Sequence, residues 1–207
     1  MMLSPQCRCL SREKTSELQA CPYRTDGPHV RPNPSFRGRT LIVETKRLHV
    51  RRWLPRDLAP LHAIYSDPET VRWCGDGSPL TVAQCREWFS VTENNYRKYG
   101  YGMFTVAEKK SDNVVGFAGL VHPGGQEDVE IKYAFDRSRW GQGLASEVVP
   151  ALLQYGNSSH GIGKIIATVA QENAASQRVL VKSGMSLQAS RTENDGSQTL
   201  IYCWEVK

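Results

Sequence analysis

The run Arg139-Trp140-Gly141-Gln142-Gly143-Leu144-Ala145-Ser146-Glu147 decides which fold this chain can adopt. The alternating run Val129–Phe135 precedes it, and an apolar stripe at helical spacing follows it over residues 144 to about 155. This order predicts a strand, a glycine turn and a helix. The start of a helix carries unpaired backbone N–H groups and the positive end of the helix dipole, and glycine lets a ligand approach closely. The stretch therefore predicts an anion site, for which phosphate is the usual ligand.

Two well-known phosphate loops fit this stretch poorly. A P-loop ends in Gly-Lys-Ser/Thr, which the run lacks. A dinucleotide-binding loop has Gly or Ala at its sixth position, where this chain has Ser146. It also places an acidic residue at the end of the next strand, and here the strand predicted at 164–169 continues into Ala170-Gln171-Glu172-Asn173.

The run from Trp140 to Glu147 resembles a third kind of loop, the coenzyme A pyrophosphate loop of the GNAT acyltransferases. Within that superfamily it is most similar to the Trp-Gly-x-Gly-x-Ala-x-Glu run of the RimJ/RimL-like branch. One position departs from the wider family, which often has Gln or Arg three residues before the first glycine. This chain has Ser138 there, and Arg139 lies one step out of register.

Two further segments resemble the same branch, and they occur in the expected order. Residues 44–51, Glu-Thr-Lys-Arg-Leu-His-Val-Arg, match its Glu-Thr-x-Arg-Leu-x-Leu-Arg opening. The segment that starts with Asn173-Ala174-Ala175-Ser176 and reaches Gly184-Met185 matches its Asn-x-x-Ser segment, with Met185 at an aromatic position. The resemblance spans residues 39–207 and does not include residues 1–38.

Composition excludes several other classes of protein. The chain has 207 residues, 40% of them hydrophobic and 23% charged, which suits one soluble domain. No apolar run approaches the roughly 18 residues of a membrane span. The net charge of +5 is concentrated in residues 1–38, so the rest carries only a small excess and a nucleic-acid partner is not expected. Scattered cysteines indicate a reducing, cytoplasmic setting rather than a disulfide framework.

Residues 1–38 differ from the rest of the chain. They hold five of the eleven prolines and sustain no period of 2 or 3.6, which predicts a poorly ordered extension. Cys7, Cys9 and Cys21 with His29 have a spacing that fits no common zinc site, so no metal is expected.

The periodicity and turn signals predict an alternation of strands and helices. Strands are expected at 41–53, 100–107, 114–120, 129–135, 165–169, 185–190 and 199–204. Helices are expected after Asp57, after a Thr81–Gln84 capping box, after Gly143 and after Asn173. Pro150 should bend the third of these helices or end its regular bonding. The resemblance implies a GNAT α/β fold: a mixed, mostly antiparallel sheet with a V-shaped split between its fourth and fifth strands, flanked by about four helices.

The resemblance also implies how acetyl-CoA would be bound. Main-chain groups of Gly141, Gln142, Gly143, Leu144, Ala145 and Ser146 would hold the pyrophosphate. The backbone of Tyr133, Ala134 and Phe135 would pair with the pantetheine arm, and Asn173 would reach the pantetheine or the acetyl group.

Acetylation of an amine needs an acceptor that loses a proton, a stabilised thioester oxygen and a thiolate that leaves protonated. Glu130 is placed to be the base or to hold the acceptor ammonium through a water; the alternative is a surface carboxylate on an alternating strand. Ser176 is the candidate that protonates or orients the thiolate; the alternative is first-turn hydrogen bonding in its helix. Many GNAT enzymes use a tyrosine slightly further along this helix, where the present chain has none before Tyr202.

The acceptor is harder to predict. By the resemblance, Trp73 and Tyr101 line the acceptor site, although a core position is the alternative for aromatic residues of this region and is favoured for Trp88 and Tyr96. His122 is either a general base or a solvated loop residue. The expected function is acetyl transfer from acetyl-CoA to a primary amine, on a protein N-terminus or a small molecule, by direct attack in a ternary complex. An acyl-CoA sensor without turnover is the alternative, and the protein is expected to be a monomer or homodimer.

Overall fold

The computed structural model describes residues 40–206 of the chain. The predicted extension at 1–38 and its cysteines lie outside the described residues. Among the helices found between residues 40 and 206, none has the length and apolar character that crossing a membrane requires.

Eight strands and five α-helices alternate along this part of the chain. The strands are β1 (Leu41–Glu44), β2 (Leu48–Arg51), β3 (Met103–Glu108), β4 (Val114–Val121), β5 (Val129–Phe135), β6 (Lys164–Ala170), β7 (Ser186–Thr192) and β8 (Gln198–Glu205). The helices are α1 (Leu58–Tyr65), α2 (Pro68–Val71), α3 (Val82–Tyr99), α4 (Leu144–His160) and α5 (Ala174–Lys182). Short 3₁₀ turns occur at Pro55–Asp57, Pro123–Gly125 and Arg137–Arg139.

All eight strands form one sheet in the order β1-β2-β3-β4-β5-β6-β8-β7. Neighbouring strands are antiparallel except β5 and β6, which are parallel. β5 and β6 pair only through Val129 with Ile165 and Glu130 with Ile166, so the two strands part beyond these residues. The mixed sheet with a split between the predicted fourth and fifth strands is thus confirmed.

Two apolar cores cover the two faces of the sheet. The α4 core contains Val148 and Leu152 of the helix with Ile131 and Phe135 of β5. The opposite core, here called the α1 core, contains Leu61 with Phe117 and Ala134. Because alternate residues of a strand point to opposite faces, Ile131 and Phe135 lie towards α4, whereas Glu130 and Lys132 lie towards the α1 side.

The first predicted strand is wrong in one respect. Residues 41–53 form a hairpin of two short strands, β1 and β2, rather than one strand. Thr45 makes the turn possible, because its backbone N–H donates to the carbonyl oxygen of Leu48 at 2.9 Å and its hydroxyl oxygen accepts a hydrogen bond from Leu48 N at 3.1 Å. No Gly or Pro marks this turn, so alternation alone did not reveal it.

Asp57 precedes α1 as predicted, but its side chain does not cap that helix. Its two carboxylate oxygens bind the guanidinium of Arg51 at 2.6 and 2.9 Å, and it also accepts hydrogen bonds from Leu54 N and Thr105 Oγ1. Arg51 and Asp57 are almost completely buried. Burial alone would raise the pKa of Asp57, but the hydrogen bonds and the Arg51 charge lower it below its usual value.

Other local predictions hold. Thr81 and Gln84 form the predicted capping box of α3, and Val82, the first residue of this helix, is exposed. The β3–β4 hairpin turns around Ser111-Asp112-Asn113. Pro150 was predicted to bend α4 or to end its regular bonding locally, and the helix continues past this residue to His160. Proline leaves only the carbonyl four residues earlier without its helical donor, and that carbonyl belongs to Ser146 in the first turn.

Replacement of Asp57 by alanine should lower the free energy of unfolding by about 3–5 kcal/mol, because it leaves the Arg51 guanidinium buried without its counter-charge. A helix cap alone would be worth only about 1 kcal/mol. Thr81→Ala, which removes a true cap, is the control and should cost about that smaller amount. Urea unfolding of the two variants measures the difference, and an equal loss in both would contradict the buried-pair interpretation.

Candidate active site

The glycine run forms the turn into α4. Gly141 and Gly143 have φ values of 73° and 74°, in the left-handed region that favours glycine. Gly143 is the N-cap of α4 and offers no side-chain oxygen to the helix. The first backbone N–H groups of α4 are therefore left for another acceptor. Gln142 stays close to the preceding turn, because its side-chain amide donates to the carbonyl of Ser138 at 3.2 Å.

Glu147, in the first turn of α4, ties this turn to the β1–β2 hairpin. Its Oε1 accepts hydrogen bonds from Thr45 Oγ1 at 2.5 Å and from Arg47 N at 2.7 Å, and its Oε2 accepts one from Arg47 Nε at 2.8 Å. Burial would raise the pKa of Glu147, but these hydrogen bonds and the Arg47 charge lower it. Two of the segments quoted from the sequence thus meet in space although about 100 residues separate them.

Arg47 is a candidate binding residue that the sequence analysis missed. A Cβ atom built on Gly143 would lie 3.9 Å from Arg47 Nη2, so the guanidinium stands beside the glycine turn. Glu147 accepts a hydrogen bond from Arg47 Nε, so the terminal nitrogens of the Arg47 guanidinium lie next to the start of α4. The signal was present, because Arg47 is part of the quoted Glu-Thr-x-Arg run, but that run gave no clue to its spatial neighbour.

The split between β5 and β6 begins immediately after Glu130. The edge of β5 from Ile131 to Phe135 lies beyond the paired residues, and the predicted Tyr133, Ala134 and Phe135 lie along it. Trp140 is attached to the last residue of β5, since its indole N–H donates to the carbonyl of Phe135 at 2.9 Å. The split therefore runs from the glycine turn towards Glu130.

Glu130 lies at the closed end of the split and is only 2% exposed. Its Oε1 accepts hydrogen bonds from the backbone N–H and the hydroxyl of Thr168 on β6, and it forms an ion pair of 2.5 Å with Lys132 Nζ. Lys132 in turn donates to Thr168 Oγ1 at 2.9 Å. These three residues join β5 to β6 on the α1 side of the sheet.

Ser176 and Asn173 lie at the start of α5. The Asn173 side chain accepts a hydrogen bond from Ser176 N at 3.1 Å and so caps the helix, as predicted. Ser176 Oγ lies 2.7 Å from the hydroxyl of Tyr133. Tyr133 packs towards the α4 core, so this contact crosses from β5 to α5 on the face opposite to Lys132.

The two aromatic residues expected near the acceptor are not brought together. Trp73 is half-buried after α2, with the Arg72 guanidinium 4.4 Å from its ring centre. Burial raises the pKa of the adjacent Cys74 thiol to about 11, and the positive charge of the nearby Lys132 partly opposes this shift. The Trp73 loop therefore lies on the side of Glu130 and Lys132.

Tyr101 belongs instead to the α4 core and is 7% exposed. Its hydroxyl lies 2.9 Å from Nε2 of His122, whose Nδ1 lies 2.9 Å from the carbonyl oxygen of Gln126. Its ring also packs edge-on against His160, the last residue of α4. Tyr96 is buried and Trp88 partly buried in the two cores, as favoured from the sequence.

A sheet that parts beside a glycine turn at the start of a helix is the arrangement expected of an acyl-CoA-dependent acyltransferase. The comparison with known families agrees, because residues 47–186 match the acetyltransferase (GNAT) domain family. The chain belongs to the GNAT acetyltransferase family. It is therefore an acyltransferase that uses acetyl-CoA.

The chain is also similar to individual proteins and solved structures. The chain is 32% identical to YkkB of Bacillus subtilis strain 168 over 151 residues, which cover 72% of this chain and 86% of YkkB. A GNAT-family acetyltransferase from Bacillus anthracis superposes with a TM-score of 0.69 at 24% identity, over 80% of this chain and 98% of that one. RimL, a ribosomal L7/L12 alpha-N-protein acetyltransferase solved with coenzyme A, gives a TM-score of 0.69 at 16% identity, over 80% and 98%. At these identities the two structures show the fold alone.

Replacement of Glu147 by glutamine should lower the free energy of unfolding by about 1–2 kcal/mol at pH 7, because the amide nitrogen would face the Arg47 Nε–H donor. Since the pKa of Glu147 is lowered in the folded state, its stabilisation is present above its ordinary pKa and is lost as pH falls through the folded value. The difference in the free energy of unfolding between wild type and variant should therefore become smaller at acid pH.

Urea unfolding over a range of pH measures this gap. Glu69→Gln is the matched control, because Glu69 pairs with Arg72 at 3.3 Å while both side chains are about half exposed, and no measurable loss is expected. A gap that is constant down to strongly acid pH would contradict the proposed contact.

Proposed function

We propose that the protein transfers an acetyl group from acetyl-CoA to a primary amine by direct attack within a ternary complex. The observation that carries this proposal is the split itself. It starts at a helix-terminal anion site and ends between two sets of polar side chains on opposite faces of the sheet, Glu130 with Lys132 and Thr168 on one and Tyr133 with Ser176 on the other.

On the donor side, the first turn of α4 would hold the pyrophosphate through main-chain N–H groups. The contacts would come from Gly141, Gln142, Gly143, Leu144, Ala145 and Ser146. Arg47 adds a positive charge beside Gly143, and a guanidinium forms strong bonds with phosphate oxygens. The edge of β5 that does not pair with β6, from Tyr133 to Phe135, would take the amide groups of the pantetheine arm, with Asn173 at the other wall.

On the acceptor side, the amine would enter from the α1 face. Glu130 is the charged group nearest the closed end there, and its carboxylate would attract an ammonium or hold it through a water. Lys132 compensates Glu130 in the resting protein, so its burial does not leave an isolated charge. The Trp73 loop borders the same face and is the part of the wall best placed to select the acceptor.

The acceptor class follows from the chemistry of this face. A primary amine is small enough to approach a carboxylate in a narrow split, whether it belongs to a protein N-terminus or to a small molecule. RimL, which shares the fold, is a ribosomal L7/L12 alpha-N-protein acetyltransferase, so peptides with free N-termini are the first acceptors to try.

Replacement of Gly143 by aspartate should weaken acetyl-CoA binding by about 100-fold or more. The new carboxylate would lie against the pyrophosphate and beside Arg47, and repulsion of this kind is worth a few kcal/mol at such distances. Isothermal titration calorimetry measures the dissociation constant.

Gly161→Asp is the matched control for this substitution. Gly161 also has a positive φ, 64°, but it lies at the opposite end of α4, and nothing lies within 4 Å of a Cβ built there. The backbone strain and the added charge are similar, and binding should stay within about twofold of wild type. Retained binding in Gly143→Asp, or an equal loss in the control, would contradict the assignment of the loop.

The function itself is tested by release of free coenzyme A thiol from acetyl-CoA. The purified protein is assayed with peptides that have free N-termini, with the same peptides N-terminally blocked, and with small primary amines. We expect release that depends on the acceptor and is absent with blocked peptides lacking lysine. Mass spectrometry should show a gain of one acetyl group on the acceptor. Tight binding of acetyl-CoA without release for any amine would contradict amine acetylation.

A further inference from the structure

The side chains of Tyr133 and Ser176 meet across the open part of the split. The two hydroxyl oxygens are 2.7 Å apart, and the tyrosine hydroxyl lies 3.5 Å from the Ser176 carbonyl oxygen. Tyr133 stands three positions beyond Glu130, the last residue of β5 that pairs with β6. The hydroxyl pair therefore lies where the thioester end of a bound donor would pass.

Both partners are held by regular structure. Tyr133 is paired with Ala118 on β4, and Ser176 lies in the first turn of α5, where its N–H binds Asn173 Oδ1 at 3.1 Å. A functional group is positioned accurately when its neighbours fix its backbone and its rotamer. The distance between the hydroxyls is thus set by the fold.

The pair has a chemical property that neither group has alone. When the acceptor nitrogen bonds to the acetyl carbon and the carbon–sulfur bond breaks, the electron pair remains on sulfur, and the thiolate needs a proton. A serine that gave up its proton unaided would become an alkoxide, a strong base. A phenol is a stronger acid than an aliphatic alcohol, and its ordinary pKa is about 10.

The environment keeps this phenol protonated. Burial raises the pKa of Tyr133 to about 12, although the hydrogen bond with Ser176 acts in the opposite direction. At neutral pH the phenol therefore carries its proton and is able to donate it to Ser176 Oγ. When it does so, the serine hydrogen is free to point into the split.

We propose that Tyr133 is a positioning residue that orients Ser176 and supplies it with the proton passed to the departing thiolate. This proposal rests on the acetyl transfer proposed above. Ser176 Oγ gives its hydrogen to sulfur and takes the hydrogen of Tyr133 Oη in the same step. The resulting phenolate takes a proton back from water, and the acceptor nitrogen releases one as the amide forms, so the protons balance.

The pair also provides a phenol that the sequence of the helix does not offer. The helix after Asn173 carries no tyrosine of its own. The neighbouring strand β5 supplies one instead, at hydrogen-bond distance from the serine on that helix.

The test is a double-mutant cycle on the rate of acetyl transfer in a single turnover. The variants are Tyr133→Phe, Ser176→Ala and the double variant, assayed with the amine that reacts fastest in the thiol-release panel. Each single change should slow transfer by about 10- to 100-fold, in keeping with the usual contribution of proton transfer. The dissociation constant of acetyl-CoA, measured by calorimetry, should change by less than about threefold. The double variant should be no slower than the slower single variant, because both changes break one relay.

Tyr155→Phe is the matched control. Tyr155 is also a partly buried tyrosine whose hydroxyl has a side-chain partner, His160 Nε2 at 2.8 Å, but that contact lies near the far end of α4. Loss of the Tyr155 hydroxyl should leave the rate of acetyl transfer unchanged.

A proton inventory in mixtures of H₂O and D₂O adds a measurement that a merely structural role would not alter. Wild type should give a curved dependence, since two protons move together, and Tyr133→Phe a linear one. An unchanged rate in Tyr133→Phe, single effects that multiply in the double variant, or loss of acetyl-CoA binding in Tyr133→Phe would each overturn the relay while leaving the proposed acetyl transfer in place. A wild-type protein that acetylates no amine would overturn both.

Discussion

The parting of β5 from β6 is the constraint on which the rest of the structure depends. Buried backbone groups need hydrogen-bond partners, so a sheet opens only where each strand is secured on its other edge. Here β5 keeps six paired positions with β4, and β6 keeps seven with β8. The strands share only two positions with each other, next to the closed end. The unpaired edge of β5 is thus stable within the sheet and still able to bind the amides of a ligand.

A second long-range contact makes the start of α4 a defined site. Glu147 binds the β1–β2 turn through three hydrogen bonds, so the helix whose start is the proposed pyrophosphate site is fixed to the strand hairpin at the edge of the sheet. The same carboxylate orients Arg47 towards the glycine turn. Glu147 therefore fixes the position of α4 and the position of the Arg47 charge together. This contact explains why residues 44–51 and 140–147, which are far apart in sequence, contribute to one proposed site.

The sequence predicted the elements that depend on local signals. Alternation marked β5, capping residues marked α3 and α5, and the two glycines marked the turn into α4. It failed where a feature depends on a distant partner. The turn at Thr45 has no glycine or proline, and Asp57 looked like a helix cap until its contact with Arg51 was visible. Nothing in the sequence indicated that Tyr101 packs beside His122 and His160. The Tyr133–Ser176 contact joins residues 43 positions apart, and neither residue alone indicates the other.

The two faces of the split differ in a way that suits the two halves of the reaction. The α1 face carries a compensated ion pair, Glu130 with Lys132, in which the carboxylate is almost fully buried. Such a pair tolerates burial because each charge offsets the other, and an incoming ammonium competes for the carboxylate with a cation of the same kind. The opposite face carries the hydroxyls of Tyr133 and Ser176, which are 2.7 Å apart. In the proposed relay the negative charge of the thiolate passes to the phenol, and water then restores its proton. A charged acceptor would thus bind on the face that already carries charged side chains, and the leaving thiolate would be protonated on the face whose side chains are neutral in the resting protein.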